Sequence, residues 1–450
     1  MRVLLISSNT ASSPYPVYPL GLSMVASATE AEGHEVQILD LIHASDDDRW
    51  NTLAERLHSF GPHVVGISVR NLDNVNMLNE ERYLQTVGDA VSCVREHSTA
   101  RVVLGGSAFS ILPDRIMELT GADYGIVGEG EVAFPELLSD IHSGQAPPRG
   151  SILRGEQWLN TDDIPSASYD PELLQKYLAD GSVASVQTKR GCPRNCVYCS
   201  YPALEGKSIR NRTPTEVVND IHNLKQEHGA SYLFFTDSVF NDCSGHYLAV
   251  LHEMERRGIS IPWSAFFSPL SITEEAVDLM KRTGLQAAEI GTDAACNTTL
   301  RGQHKSFLWK DVVRANEMFQ RAGVATAHYF MFGGPEESPE TVQKGIQNIC
   351  SLDCSAVFVF MGIRILPDTE LHEIAIDEGV IDRDTDLMEP VYYLSPKIDP
   401  DWLEETLEEA FAPLSHVLFP PDALDDKLQL LHKLGHAGAL WDLLGPEGNG

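Results

Sequence analysis

Apolar and polar residues alternate in short, regular blocks along the first 140 residues. Apolar blocks typical of buried strands lie at 2–8, 35–41, 63–70, 101–106 and 124–131. Amphipathic blocks typical of helices lie between them, at 19–33, 51–60, near 81–96 and near 112–120. Strands separated by helices imply a parallel sheet with right-handed crossovers. We therefore predict a doubly wound α/β domain of flavodoxin type over residues 1–141, where ligands bind beyond the carboxyl ends of the strands.

Small residues stand at several of these predicted carboxyl ends. Ser68 closes the third strand, Gly105 and Gly106 close the fourth, and Gly128 follows the fifth. Glycine lets a bulky ligand approach the backbone closely, which favours a binding edge. Ordinary turns require the same glycines in any α/β domain, so position alone leaves both interpretations open.

The pattern changes after residue 141. Residues 142–181 are rich in Pro, Ser, Gly and Asp, which predicts a linker. Strand and helix blocks then resume over 182–384, with strands predicted at 182–191, 231–237, 261–269, 286–293, 326–334 and 356–366. Six such β/α units fit a partial TIM-like barrel, a fold that keeps its chemistry at the carboxyl ends of the strands. Residues 385–450 are predicted to form a helical C-terminal region.

Composition narrows the class of partner. No apolar run reaches the roughly 18–20 residues that a membrane span needs, and the start, MRVLLISSNT, fits a first strand better than a signal peptide. We therefore expect a soluble, cytoplasmic protein with no membrane partner. The net charge is −32, from 33 basic and 65 acidic residues. This charge argues against nucleic acid and anionic lipid, and it is compatible with a cationic substrate, although it also serves solubility.

Three of the eight cysteines lie in one short loop, GCPRNCVYCSYP, directly after the first predicted barrel strand. They are Cys192, Cys196 and Cys199, spaced Cys-x3-Cys-x2-Cys. Thiolates are the soft ligands that iron–sulfur clusters prefer. Three ligands leave one iron open to chelate a small molecule through an amine and a carboxylate. A zinc site would call for a fourth Cys or His at regular spacing, and none follows closely.

The loop resembles the signature of the radical S-adenosylmethionine (SAM) superfamily, with an aromatic residue, Tyr198, before the last cysteine. The order of strand, loop and barrel agrees with that superfamily over about 182–370. The resemblance implies a 4Fe-4S cluster that passes an electron to SAM to release a 5′-deoxyadenosyl radical. It also implies a small-molecule substrate and an electron donor such as flavodoxin or ferredoxin.

The same resemblance assigns SAM contacts to the predicted strand ends. Asp237, in FTDS, stands where the superfamily often has Gly-Gly-Glu, and we expect it to hold the SAM ammonium. Glu289 and Asp293, in AEIGTDA, match positions that contact the ribose and the amino acid. The remaining expected contacts are Gly333 and Gly334 near the adenine, and Arg364 near the SAM carboxylate or the substrate.

The N-terminal region resembles the cobalamin-binding domain of many radical SAM enzymes, through GISVRNLDN, VVLGGSAFS and DYGIVGEGE. This resemblance implies that Ser68, Gly105, Gly106 and Gly128 contact a corrin if one is bound. The usual Asp-x-His-x-x-Gly loop is missing, since the loop after the first strand, SNTASSPYPVYPLG, has no histidine. His34 and His43 lie elsewhere in the chain. Either the cobalt lacks an imidazole ligand or the domain holds no corrin.

Two reactions fit this layout. The leading hypothesis is radical dehydration of an aminoglycoside-type sugar, because the chain is acidic, lacks the histidine loop and resembles the radical SAM diol dehydratases. An NAD(P)-dependent reductase would then act on the product. The alternative is cobalamin-dependent C-methylation in natural-product biosynthesis. The barrel disfavours a non-catalytic module, and the acidic charge together with a single N-terminal cysteine, Cys93, disfavours tRNA methylthiolation.

Overall fold

The computed structural model describes residues 1–12, 15–45, 47–155, 158–179 and 183–441. The chain divides into two compact units. The first comprises Met1–Ser12, Pro16–Asn74 and Glu81–Tyr177, and the second comprises Ser13–Tyr15, Val75–Glu80 and the chain from Leu178 onward. No helix among the described residues combines the length and apolarity that crossing a membrane requires.

The first unit is built on one sheet of six parallel strands, in the order β2-β1-β3-β4-β5-β6. The strands are β1 Arg2–Ser7, β2 Glu35–Asp40, β3 Val64–Ser68, β4 Arg101–Gly105, β5 Tyr124–Val127 and β6 Ser151–Arg154. The helices of this part of the chain are α1 Leu20–Ala31, α2 Arg49–Phe60, α3 Leu84–His97, α4 Ser107–Ile111, α5 Pro113–Thr120, α6 Gly130–Ser143 and α7 Pro171–Ala179. The predicted doubly wound domain of flavodoxin type is confirmed.

Several elements of this region differ from the sequence prediction. The strand predicted over 124–131 ends at Val127, because Gly128 has a φ of +88° and helix α6 begins two residues later. The predicted linker contains helix α7 and, before it, strand β6. Strand β6 pairs in parallel with β5 at the edge of the sheet. Strand β6 has only four residues and lies between a proline-rich turn and a polar segment, so the composition of the surrounding sequence predicts a linker and not a strand.

The second unit is built on seven parallel strands in the order β17-β14-β13-β12-β11-β10-β7. These strands are β7 Ala184–Val186, β10 Leu233–Phe235, β11 Trp263–Phe267, β12 Leu285–Asp293, β13 Ala325–Phe332, β14 Ala356–Met361 and β17 Val417–Leu418. Two short antiparallel pairs join β8 Lys189–Arg190 to β9 Arg210–Asn211, and β15 Ile363–Arg364 to β16 Tyr392–Tyr393. All six predicted barrel strands are present, which confirms the partial barrel.

The helices of the second unit alternate with its strands. They are α8 Tyr201–Leu204, α9 Pro214–Gln226, α10 His246–Arg256, α11 Glu274–Thr283, α12 Asn297–Gly302, α13 Trp309–Arg321, α14 Pro339–Cys350, α15 Glu370–Asp377, α16 Pro400–Phe411 and α17 Asp425–Lys433. The outer face of the sheet packs on these helices. Phe330, Phe332 and Val359, for example, share a core with Ile346 of α14 and Leu407 of α16.

The C-terminal region contains helices α16 and α17, as predicted, and also two short strands, β16 and β17. The first helix ends at Phe411, two residues before Pro413, which has no N–H to continue it. Val417 and Leu418 then form β17, a seventh strand beside β14, where the sequence predicts a helix. Farther on, Leu428 and Trp441 pack against Phe358 on the inner face of the sheet. This segment therefore fills part of the barrel interior.

Candidate cluster and cofactor site

The three motif cysteines lie on a loop that follows β8. Its first residue, Gly191, has a φ of +89°, and a Cβ there would collide with the carbonyl of Ser208. The N–H of Gly191 donates to Glu205 Oε2 at 3.1 Å, and the N–H of Cys192 donates to the Gly206 carbonyl at 3.0 Å. The turn at 205–208 thus holds the start of the loop in place.

The chemistry of these thiols fits an iron–sulfur cluster. Cys192, Cys196 and Cys199 carry free thiols. Burial raises the pKa of Cys199 to about 12, and the neighbouring thiols Cys196 and Cys192 add to the rise, so a thiolate there needs a cation beside it. Among the described residues, no three His, Cys, Asp or Glu side chains converge closely enough for a single metal ion. Thiolates that each bind a different iron of a cluster have no need to converge in that way.

A buried lysine lies against this loop. Lys305 Nζ donates to Cys196 Sγ at 3.4 Å and to Tyr198 Oη at 2.9 Å, and it forms an ion pair with Asp293. Tyr198 in turn donates to Asp293 Oδ2 at 2.6 Å. Burial acts to lower the pKa of Lys305, but Asp293 and Cys196 together raise it above its ordinary value, so the lysine keeps its charge. Asp293 is thus next to the cluster loop, and Lys305, which the sequence analysis missed, is its partner.

Asp237 lies at the carboxyl end of β10, as predicted, but its carboxylate is fully engaged. Oδ1 accepts from the N–H of Thr188 at 2.7 Å, and Oδ2 accepts from Thr188 Oγ1 at 2.6 Å and from Lys189 Nζ at 3.0 Å. The side chain is buried, and the same lysine also pairs with Asp242 at 3.3 Å. This geometry favours a structural role, in which Asp237 ties the strand before the cysteine loop to β10, over the predicted contact with the SAM ammonium.

Arg364 is also engaged within the chain. Its guanidinium donates to the carbonyls of Ile365 at 2.7 Å and Leu387 at 2.8 Å, and its side chain is buried. These bonds fix the loop after β15. They favour a structural role over the predicted contact with SAM or substrate.

The glycine-rich turn after β13 is organised by a carboxylate. Glu337 Oε2 accepts from the N–H of Gly334 at 3.1 Å and from the N–H of Gly333. Burial raises the pKa of Glu337 to about 7, and these two N–H groups partly offset that rise. Leu394 occupies the space beside Gly333, where φ is +92°, so a Cβ there would collide with it. The glycines therefore serve the turn itself, and their predicted contact with adenine stays a prediction.

Glu289 lies on the inner face of the barrel sheet, within a row of aromatic rings. Phe234, Phe266, Tyr329 and Phe358 follow one another across the sheet, with successive ring centroids 5.2, 6.3 and 5.1 Å apart. Tyr329 donates to Glu289 Oε2 at 2.7 Å, and the indole of Trp441 lies beside the same carboxyl group. Burial raises the pKa of Glu289 to about 7, and Tyr329 and Trp441 partly offset that rise.

In the first unit, the four residues predicted to contact a corrin lie along one edge of the sheet. Ser68 and Gly105 are paired across β3 and β4, and a Cβ on Gly106 would lie 3.1 Å from Ser68 Oγ. Ser110 Oγ donates to the Gly106 carbonyl and accepts from the N–H of Gly128 at 3.0 Å. A Cβ on Gly105 would meet only the Ile126 carbonyl within 4 Å, at 3.7 Å. A broad, flat ligand such as a corrin fits an edge with so few side chains.

Neither N-terminal histidine extends from the loop after β1. His34 Nδ1 lies 3.0 Å from the N-terminal amine, and His43 packs edge-on against Tyr177 with ring centroids 4.6 Å apart. These are ordinary structural contacts, as the sequence suggests.

Comparison with known families matches each unit to a different model. Residues 6–138 match the B12 binding domain, and residues 186–349 match the radical SAM superfamily. The match to the radical SAM superfamily implies a 4Fe-4S cluster and SAM as cofactors. The B12 binding domain is of the type that binds cobalamin.

Relatives that match most of the chain are also found. The chain is 27% identical over 406 residues to an uncharacterized methyltransferase of Pyrococcus horikoshii, covering 85% of this chain and 84% of that protein. It is 25% identical over 426 residues to the tryptophan 2-C-methyltransferase of Streptomyces laurentii, covering 78% and 71%. The solved structure of the radical SAM methyltransferase TsrM from Kitasatospora setae, with tryptophan and a SAM analogue, superposes with a TM-score of 0.86 at 24% identity, covering 98% and 97%. The fold of this chain is therefore similar to that of TsrM.

Proposed function

We propose that this chain, a B12-binding domain followed by a radical SAM domain, is a cobalamin-dependent methyltransferase that acts on a small molecule. The observation that carries the proposal is this pairing of domains in one chain. Relatives that share most of its length, from Pyrococcus horikoshii and Streptomyces laurentii, are named as methyltransferases. Methyl transfer uses both domains, since a corrin can carry the methyl group that SAM supplies.

The comparisons favour this reaction, the alternative of the sequence analysis, over radical dehydration of an aminoglycoside-type sugar. Dehydration does not require a corrin at the edge of the first unit. The dehydration hypothesis also depends in part on the overall negative charge. That charge does not dominate the barrel interior. Phe266, Tyr329, Met331 and Phe360 all lie on its inner face, beside the carboxyl group of Glu289. Such a surface suits a substrate with an apolar or planar part better than a polyamine sugar.

Some residues of this chain would bind the cofactors, and others hold the binding residues in position. Cys192, Cys196 and Cys199 would hold the cluster, and the edge at Ser68, Gly105, Gly106 and Gly128 would hold the corrin. When bound, the cofactors supply the one-electron chemistry and the methyl group. The turn at 205–208 and the bonds between Asp237 and Thr188 hold the cysteine loop against the end of the sheet, which keeps the site rigid.

The test is reconstitution of the full chain under anaerobic conditions with iron, sulfide and hydroxocobalamin. We expect one corrin for each chain in the visible spectrum after desalting, and transfer of label from methyl-labelled SAM to the bound corrin after reduction. Cys196→Ala is the matched control, and we expect it to lose iron but retain corrin. A chain that carries its full cluster and binds no corrin would exclude the proposed reaction.

A further inference from the structure

We propose that Lys305 sets the reduction potential of the cluster held by Cys192, Cys196 and Cys199, and that Asp293 limits this effect. The inference concerns the cluster alone. It stands whether or not the chain transfers methyl groups.

The geometry places a cation against a cluster ligand. Lys305 Nζ lies 3.4 Å from Cys196 Sγ, the contact of an N–H···S hydrogen bond. The ammonium is also 5.2 Å from the ring centroid of Tyr198, the aromatic residue of the cysteine motif. The lysine side chain is only 7% exposed, so water screens its charge little.

Reduction adds a negative charge to a cluster that three thiolates already make anionic. A buried cation beside one of those thiolates stabilises the reduced state more than the oxidised state, because the attraction grows with the negative charge on the cluster. The hydrogen bond acts in the same direction, since bonds to the sulfur atoms are among the factors that set the potentials of such clusters. Lys305 therefore raises the potential and makes the cluster easier to reduce.

Asp293 opposes this effect. Its carboxylate forms the ion pair with Lys305 and accepts the Tyr198 hydroxyl at 2.6 Å. Its negative charge is 15% exposed and lies on the same side of the loop as the lysine, so it cancels part of the field that reaches the cluster. Removing the charge of Asp293 should therefore shift the potential in the direction opposite to removing that of Lys305.

A second lysine, close to Lys305 in the sequence, provides a matched control. Lys310 lies five positions farther along the chain, in the first turn of α13, and its side chain is exposed. Lys310→Met removes the same charge as Lys305→Met without removing a contact to a cluster cysteine. Arg194, inside the cysteine loop, is a poorer control, because it bonds Ser306 and Ser268 and so helps to hold the loop.

The experiment is an equilibrium redox titration of the cluster-loaded full chain, followed by the electron paramagnetic resonance signal of the reduced cluster, without corrin. Iron and sulfide are counted in every sample. For Lys305→Met we expect the ratio of reduced to oxidised cluster at a fixed potential to fall about tenfold, a shift of about 59 mV for a one-electron couple. For Asp293→Asn we expect a shift of opposite sign, for Lys305→Arg a potential near the native one, and for Lys310→Met no change.

Shifts of the same sign in Lys305→Met and Asp293→Asn, or no shift in either with full iron content, would overturn the proposal. If Lys305→Met fails to retain its cluster, Asp293→Asn decides the matter. A higher potential in that variant supports the proposal, and an unchanged or lower potential refutes it. Since neither corrin nor methyl transfer enters the measurement, failure here is separable from failure of the proposed function.

Discussion

Glu289 is a carboxyl group whose surroundings favour its neutral form. It is buried on β12, on the inner face of the barrel sheet, where Phe266 is its neighbour on β11 and where Tyr329 and Trp441 contact its carboxyl group. Burial therefore raises its pKa from 4.5 to about 7. A group with a raised pKa in the folded state stabilises the fold fully below its unfolded pKa, and it loses that contribution as the pH rises through the folded value.

Replacing Glu289 by Gln should remove this pH dependence, because the amide keeps an oxygen to accept from Tyr329 and does not ionise. At pH 4 we expect similar stabilities. As the pH rises to about 7 the native chain should lose up to about 3 kcal/mol relative to Glu289→Gln, at about 1.4 kcal/mol per pKa unit, with no further change above that. Chemical denaturation across this pH range measures the difference.

The exposed Glu275, in the first turn of α11, is the control for this substitution. Glu275→Gln removes one carboxyl group from the surface, so it measures the effect of the change in net charge alone. A constant difference between Glu289→Gln and the native chain from pH 4 to 8 would show that Glu289 does not hold its proton in the folded state.

A substitution at Gly105 tests whether the corrin binds at this edge of the sheet. A side chain there meets only the Ile126 carbonyl at 3.7 Å, so Gly105→Leu should fold normally while its side chain enters the space over the sheet edge. We expect the affinity for hydroxocobalamin, measured by spectroscopic titration, to fall at least about tenfold, which corresponds to about 1.4 kcal/mol.

Gly88 on α3, with no atom within 4 Å of its added Cβ, provides the matching substitution Gly88→Leu. That variant should bind corrin like the native chain. Equal affinities in the native chain and in Gly105→Leu would place the corrin elsewhere.

At the scale of elements, the strands with an apolar block of their own were predictable, whereas helices α6 and α7 and strands β6 and β17 were missed. Most sheet strands of both units coincide with apolar blocks in the sequence, and helices that end at glycine separate these blocks. The positions of the strands along the chain could therefore be predicted. Strands β6 and β17 have four and two residues, too few to produce a pattern. They form because a neighbouring edge strand offers its backbone groups.

In the candidate site, too, some features could be predicted from the sequence and others could not. The spacing of Cys192, Cys196 and Cys199 lies within eight residues of sequence, so the ligand loop could be predicted without any structure. The roles of Asp237 and Lys305 depend on residues distant along the chain, since Asp237 meets Thr188 and Lys305 meets Cys196 only after the barrel forms. A single lysine in a loop gives no local signal of such a contact.

The C-terminal segment supplies a prediction at this scale. Trp441 is 2% exposed, and its ring packs against Phe358 with centroids 5.0 Å apart, whereas Leu434 on the same segment is 69% exposed. Trp441→Ala should cost about 3–5 kcal/mol in unfolding free energy, the range for large buried aromatic residues. Denaturant unfolding measures this cost.

Leu434→Ala, the comparison variant, should change the unfolding free energy by less than about 0.5 kcal/mol. Equal and small effects in the two variants would mean that the segment does not fill the barrel interior.

At the scale of the whole molecule, the net charge of −32 acts against compactness. Raising the ionic strength from about 0.01 M to about 0.15 M shortens the screening length from about 30 Å to about 8 Å and weakens this self-repulsion. We expect the melting temperature to rise over this range, by calorimetry. Sodium and potassium chloride should act alike, and a decrease in melting temperature would show that attractive ion pairs outweigh the repulsion.

The filling of the barrel by the last described residues has a consequence for how the protein is made. Chains leave the ribosome from the N-terminus at about 5–20 residues per second, so Cys199 emerges on the order of ten seconds or more before Trp441. The barrel strands β10 to β14 emerge during that interval, and the last of them ends at Met361. From then on the sheet can form while its inner face still lacks Leu428, Leu440 and Trp441, so this face stays uncovered until the last described residues have left the ribosome.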